Sequence, residues 1–245
     1  MGLSNLIFII ILILLIIILI LMYYFSSDIR NTKNNTNICE SNVASLSKKI
    51  SQLDQKLGSM ENKMASFVLD AEFNYRQACQ NPSDINENLP VLRKYADECD
   101  HVTEMGTRTG VSTWALVSSN ANTIVLYDQD IRVGGWLEPH FLCAKELNKD
   151  ITFHCVSTID PRVDIEETDL LFIDTYHYYD HLTKELAMHG MKARKYLVFH
   201  DTAHSKFKHE LNPAIDEFME EYKGVWVDQE IKENCNGLRV IKRVG

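Results

Sequence analysis

The sequence predicts an α/β protein with a doubly wound, mostly parallel seven-stranded sheet, preceded by a transmembrane helix and a coiled-coil helix. Three observations carry this. From His101 onward, short apolar runs alternate with helical patterns, and four of the runs end in acids, Glu104, Asp128, Asp174 and Asp201. Ahead of them stand a heptad repeat and, before that, about twenty apolar residues without a charge, Leu6 to Phe25. The chain divides accordingly into an anchor (1–25), a polar linker (26–38), a stalk with a connecting helix (39–80) and a domain (81–245).

Leu6 to Phe25 has the length that a helix needs to cross a bilayer core of roughly 30 Å, and Tyr23 and Tyr24 sit where an interfacial belt would be. No Lys or Arg precedes the run and no small-x-small site follows it, so it reads as a retained anchor rather than a cleaved signal peptide. Arg30 and Lys33 follow it, which by the positive-inside rule places the remaining chain in the cytosol. In the stalk, Val43, Leu46, Ile50, Leu53, Leu57, Met60, Met64 and Phe67 alternate steps of three and four. That is an a/d seam, and it predicts self-association into a homo-oligomer.

Charge is distributed unevenly. The chain carries a net −9; residues 1–80 hold seven Lys and Arg against six Asp and Glu, and residues 81–245 hold 18 against 28. A domain at −10 is a poor partner for a phosphate backbone, so no nucleic-acid substrate is expected. The six cysteines form no C-x-x-C pair and no metal-like spacing, and they read as reduced.

Within the domain, Asn81-Pro82-Ser83-Asp84 is a break before a helix from Ile85 to Glu98. Strands follow at His101–Glu104, Thr123–Asp128, Ile151–Val156, Asp169–Asp174 and Tyr196–Asp201. Between them lie helices opening at Ser112, Trp136 (to Leu147) and Tyr179 (to Lys192). Pro213 to Tyr222 gives a last helix, and Val225–Lys232 with Leu238–Arg243 form a hairpin about Asn236-Gly237. Continuous apolar runs are what buried parallel strands look like, and ligands of such sheets lie beyond the strands' carboxyl ends. Asp128, Asp174 and Asp201 all fall there.

The chain from His101 to Leu116 reads as strand, tight loop and helix, with Glu104, Gly106 and Gly110 in an E-x-G-x-x-x-G pattern. A dinucleotide fingerprint wants glycines at relative positions one, three and six, which this loop lacks. Asp128, 18 residues beyond Gly110, is placed to accept hydrogen bonds from vicinal ribose hydroxyls, with Asp130 a near alternative. Asp174 and Asp201 end neighbouring strands, with His177 and His200 beside them. Carboxylate oxygens there suit Mg²⁺ or a similar divalent ion, and a histidine in the same crevice can take a proton from a hydroxyl.

Taken in order, E-x-G-x-x-x-G, Asp128, F-I-D-x-x-H-x-Y and H-D-T resemble class I S-adenosylmethionine-dependent methyltransferases, in the branch of the macrocin O-methyltransferase and cephalosporin hydroxylase-like groups. The resemblance covers Ile85 to Val244 and implies a Rossmann-like methyltransferase fold with S-adenosylmethionine as methyl donor. By position, Glu104, Gly106 and Gly110 would line the donor's methionine end, Asp128 would hold its ribose and Ser157 would lie on the adenine side. Asp174, Asp201 and His200 would ligate the metal, and His177 would be the base. Arg108 departs from the pattern by replacing the middle glycine. The implied activity is O-methylation of a sugar-like or small hydroxylated acceptor by a membrane-anchored enzyme; the alternative is a non-catalytic, membrane-tethered assembly protein.

Overall fold

The computed structural model describes residues 3–29, 43, 45–58 and 70–245. Two compact units divide the chain, Met1–Glu61 and Asn62–Gly245. In the first, Leu3–Ile29 is one helix of 27 residues (α1), about 40 Å long at 1.5 Å per residue, and the predicted anchor falls on it. The described side chains of α1 are those of residues 8–24, and among the described residues no helix is long and apolar enough to cross a membrane. A second helix, residues 45–58 (α2), carries the heptad positions from Leu46 to Leu57, with Ile50 and Leu53 exposed. Met60, Met64, Phe67, Arg30, Lys33 and Cys39 lie outside the described residues.

The second unit begins with α3, Ala71–Gln80, whose first turn is capped by Asp70 accepting from the Phe73 N–H at 3.0 Å. One 3₁₀ turn, Asn86–Asn88, leads into α4, Leu89–Ala96, where Pro90 occupies a first-turn position that needs no N–H. Strands β1 (His101–Met105), β2 (Thr123–Asp128), β3 (Asp150–Cys155), β4 (Thr168–Ile173), β5 (Ala193–His200), β6 (Trp226–Lys232) and β7 (Leu238–Arg243) form one sheet in the order β3-β2-β1-β4-β5-β7-β6. All neighbours from β3 through β5 are parallel. The C-terminal hairpin folds back so that β7 inserts antiparallel between β5 and β6. The predicted seven-stranded, mostly parallel sheet is therefore present.

Alternation along the strands builds a core on each face. Leu170 and Phe172 of β4 face α3 (Ala71–Gln80), α4 and α5 (Thr113–Val117), while Leu171 and Ile173 face α8 (Tyr179–His189) and α9 (Lys208–Glu221). Every residue of β4 is buried, which explains why the sequence reads there as an unbroken apolar run. Each large side chain so buried contributes roughly 1.5–3 kcal/mol.

Three predicted helices are corrected in extent. Trp136–Leu147 is two helices, α6 (Arg132–Trp136) and α7 (Glu138–Glu146), because the backbone breaks at Leu137 ahead of Pro139 in the first turn of α7. The helix assigned to begin at Pro213 starts at Lys208, with Pro213 inside it. Past the eleven residues of α8, the segment predicted to run to Lys192 tightens into a 3₁₀ turn, Gly190–Lys192.

Candidate active site

The loop after β1 is where three strand ends meet. Gly106 N–H donates to the Tyr127 carbonyl at 2.9 Å, and Asp174 N–H donates to the Met105 carbonyl at 2.8 Å. Gly106 has φ +89°, and a Cβ there would lie 2.0 Å from the Asp174 carbonyl oxygen. Only glycine satisfies both the left-handed backbone and the close approach. Gly110, at φ +77°, instead abuts the ring of His140, whose Nε2–H donates to the Gly110 carbonyl at 2.8 Å. Burial lowers the His140 pKa to about 4, and the neutral ring stacks on Trp114 at 3.8 Å. Gly110 thus fits the loop against α7 and stays out of the cavity described next.

Arg108 also lies in the left-handed region, at φ +50°. Its backbone N–H donates to Oδ2 of Asp128 at 2.8 Å, and its guanidinium pairs with Asp84 at 2.7 Å. Glu104 turns away from this loop. It is fully buried, and both its oxygens accept hydroxyl hydrogen bonds, from Ser112 and from Thr113, the latter at 2.6 Å. Burial outweighs those hydroxyls and pushes the Glu104 pKa up to about 8.

A cavity of about 400 Å³ opens at the carboxyl ends of β1 to β4, between Gly106, Asp128, Ser157, Thr158, Asp174 and Tyr176. Val133 and Trp136 give it an apolar wall, and the Gln129 amide donates to the Tyr176 hydroxyl beside it. Asp128 already accepts from Arg108 N–H and, on its other oxygen, from Asp130 N–H at 2.8 Å, which leaves each oxygen further acceptor capacity. A smaller space of about 270 Å³ lies on the other side of the loop, lined by Ser83, Asp84, Ile85 and Ser112. Gly106, Arg108 and Asp174 line both.

Next to this cleft the ends of β4 and β5 gather two carboxylates and two imidazoles. His177 Nε2 lies 2.8 Å from Asp201 Oδ2 and 3.3 Å from Asp174 Oδ1. His200 Nδ1 lies 3.3 Å from Asp174 Oδ2 and 3.6 Å from Asp201 Oδ2, without an aligned hydrogen bond. Its Nε2–H donates to the carbonyls of Asp84, at 3.0 Å, and Cys235, at 3.1 Å. Burial disfavours charge on Asp174, His177 and His200, yet pairing outweighs it. Asp174 is held at a pKa of about 2, and His177 and His200 are raised to about 9. Asp174, His177 and Asp201 each offer one ligand atom, all within 4.8 Å of one another. Buried Asp201 Oδ1 and His200 Nδ1 lack hydrogen-bond partners, and a divalent cation fits such a donor set.

No protein-family profile matches the sequence, and no curated protein matches it. Among solved structures, the O-methyltransferase from Bacillus cereus in complex with SAH superimposes with a TM-score of 0.51 at 12% identity, covering 70% of this chain and 90% of that one. Magnesium protoporphyrin IX methyltransferase from Synechocystis PCC 6803, solved with bound SAM, gives 0.52 at 10% identity, covering 75% and 97%. The chain has the class I methyltransferase fold.

Identities this low carry the fold alone, so each residue of this methyltransferase-fold site stands on its own geometry. Of the residues singled out from sequence, Gly106, Asp128, Ser157 and Asp174 line the main cavity, and His177, His200 and Asp201 gather beside it. Glu104 and Gly110 support the loop from behind. Sequence reasoning missed Tyr176 and Asp84 as site residues. Tyr176, two residues past Asp174, was within reach of the strand-end rule. The Asp84 contact spans 24 residues and leaves no local signal.

Proposed function

We propose that the chain is an S-adenosylmethionine-dependent O-methyltransferase acting on a sugar-like or small hydroxylated acceptor, in the branch its motifs resemble. The observation that carries this reading is the continuity of the cleft. A nucleoside-sized cavity with Asp128 on its wall joins, through Gly106 and Asp174, a cluster of carboxylates and imidazoles. The donor supplies, when bound, a methyl carbon on a sulfonium that an acceptor oxygen displaces as the neutral thioether. Asp128 is suited to the ribose hydroxyls, and Ser157 and Thr158 to the base. The protein's main task is then positioning, with removal of the hydroxyl proton.

Roles within the cluster follow from exposure and tautomer. His200 is 1% exposed, and its Nε2–H is committed to two carbonyls, which turns Nδ1 toward the carboxylates. That is the support a metal-ligating histidine has, so Asp174, Asp201 and His200 would hold a divalent cation, whose contribution is to polarise the acceptor hydroxyl. His177, 26% exposed and without such support, would be the proton acceptor once a cation on Asp174 and Asp201 takes over the carboxylate pairing that keeps the ring protonated in its absence. A methyl-transfer assay with added divalent ion tests this. Asp174→Asn and Asp201→Asn each lose at least a hundredfold in rate, and full retained activity in both rejects the metal role.

Membrane anchoring through α1 is part of the proposal, with the domain on the cytosolic side and α2 pairing copies through its a/d seam. Support comes from the uncharged run Leu6 to Phe25 and the heptads from Val43. Retention in the membrane fraction after alkaline carbonate extraction is the expected result; release into the supernatant contradicts it.

A further inference from the structure

We propose that Asp84 and Arg108 together form the docking pair for the amino-acid end of the donor, the guanidinium taking its α-carboxylate and the Asp84 carboxylate its α-ammonium. The inference rests on the donor reading above and concerns what this chain adds to it.

Position comes first. The space of about 270 Å³ beside the loop is lined by both residues and meets the larger cavity at Gly106, Arg108 and Asp174. A nucleoside in the larger cavity that carries a short charged tail has this space to put it in. Charge comes second. Asp84, Asp128, Asp130 and Asp174 line the two spaces, and among the described residues lining them Arg108 is the one Arg or Lys. A carboxylate entering so acidic a cleft needs a cation, and a guanidinium meets it with two parallel hydrogen bonds.

The pair is also preformed. Arg108 Nη1 and Asp84 Oδ2 are 2.7 Å apart on side chains that are 74% and 41% exposed, so an ion pair here contributes little in solvent and separates readily. An α-amino acid presents the opposite charges in a compact zwitterion. Each side chain exchanges its partner for the matching group of the ligand, and no charge is left unpaired. The main chain holds both groups still while the side chains move. Arg108 N–H is fixed on Asp128, and the Asp84 carbonyl accepts from His200. At φ +50° a glycine would sit without strain, so the loop has no backbone need for arginine, and what the residue adds is its side chain. The same arginine that breaks the glycine pattern in the sequence thus supplies the missing positive charge.

The test is calorimetric, on the detergent-solubilised full chain, with S-adenosylhomocysteine and 5′-methylthioadenosine, which lacks the amino-acid end. Wild type binds S-adenosylhomocysteine at least tenfold tighter than methylthioadenosine. In Arg108→Gly that ratio falls toward one with methylthioadenosine affinity unchanged; Asp84→Asn falls likewise, and Arg108→Lys lies between. Glycine suits the backbone at 108, and unchanged methylthioadenosine binding certifies a folded cavity. A ratio preserved in both Arg108→Gly and Asp84→Asn overturns the proposal while leaving the donor reading intact. Failure of wild type to bind either nucleoside overturns the donor reading and the pair with it.

Discussion

A Cβ on Gly106 would lie 2.0 Å from the carbonyl oxygen of Asp174, so the loop after β1 and the end of β4 touch backbone to backbone where the two spaces of the cleft meet. Gly106→Ala therefore forces these strand ends apart. Destabilisation of about 1–3 kcal/mol is expected from overpacking, with loss of nucleoside binding. Gly135→Ala is the control, since a Cβ there meets nothing within 4 Å. Thermal melts of the two variants check this; equal melting temperatures contradict it.

Asp128 serves ligand and loop together. Asp128→Ala removes the acceptor for Arg108 N–H and Asp130 N–H as well as the proposed ribose partner. Binding of S-adenosylhomocysteine and of methylthioadenosine both weaken by about 1–3 kcal/mol, unlike the selective loss expected at Arg108. Calorimetry with the two nucleosides separates these cases.

His177 and His200 divide the labour in the cluster. His177→Ala lowers kcat at least a hundredfold while Mn²⁺ affinity, read by electron paramagnetic resonance, stays within about threefold. His200→Ala weakens Mn²⁺ binding about 10–100-fold. The reverse pattern would make His177 the ligand, as its place within 4.8 Å of both carboxylates allows.

Much of this architecture was legible in the sequence. Strands β1, β2, β4 and β5 stand out because burial makes each a largely apolar run, and strand ends then place Asp128, Asp174 and Asp201 at one crevice. Glu104 was legible too, but by a different rule. Strand alternation puts it on the face of Val102, toward α5, where Ser112 and Thr113 reach it, and not on the loop side. The break at Leu137 was hidden by an apolar pattern that continues across it. The Asp84–Arg108 pair and the seating of His200 on the Asp84 and Cys235 carbonyls arise from chain crossings of 24, 116 and 35 residues, which no local pattern encodes.

Glu104 gives a pH signature. Its pKa is raised by burial from the ordinary glutamate range to about 8, so the folded state holds its proton more tightly than the unfolded chain. Stability from this group is complete below about pH 4.5 and is lost as pH rises through 8, on the order of a few kcal/mol in all. Glu104→Gln lacks the titration. The stability gap between variant and wild type, measured by urea unfolding, should shift in the variant's favour between pH 5 and pH 8; a gap independent of pH rejects the assignment.

The most direct test of the central claim is calorimetric titration of S-adenosylmethionine into the full chain, with and without a divalent ion. Micromolar binding, about −8 kcal/mol, is the predicted result. A folded sample that takes up no S-adenosylmethionine in either condition would contradict the methyltransferase reading and leave the fold without that function.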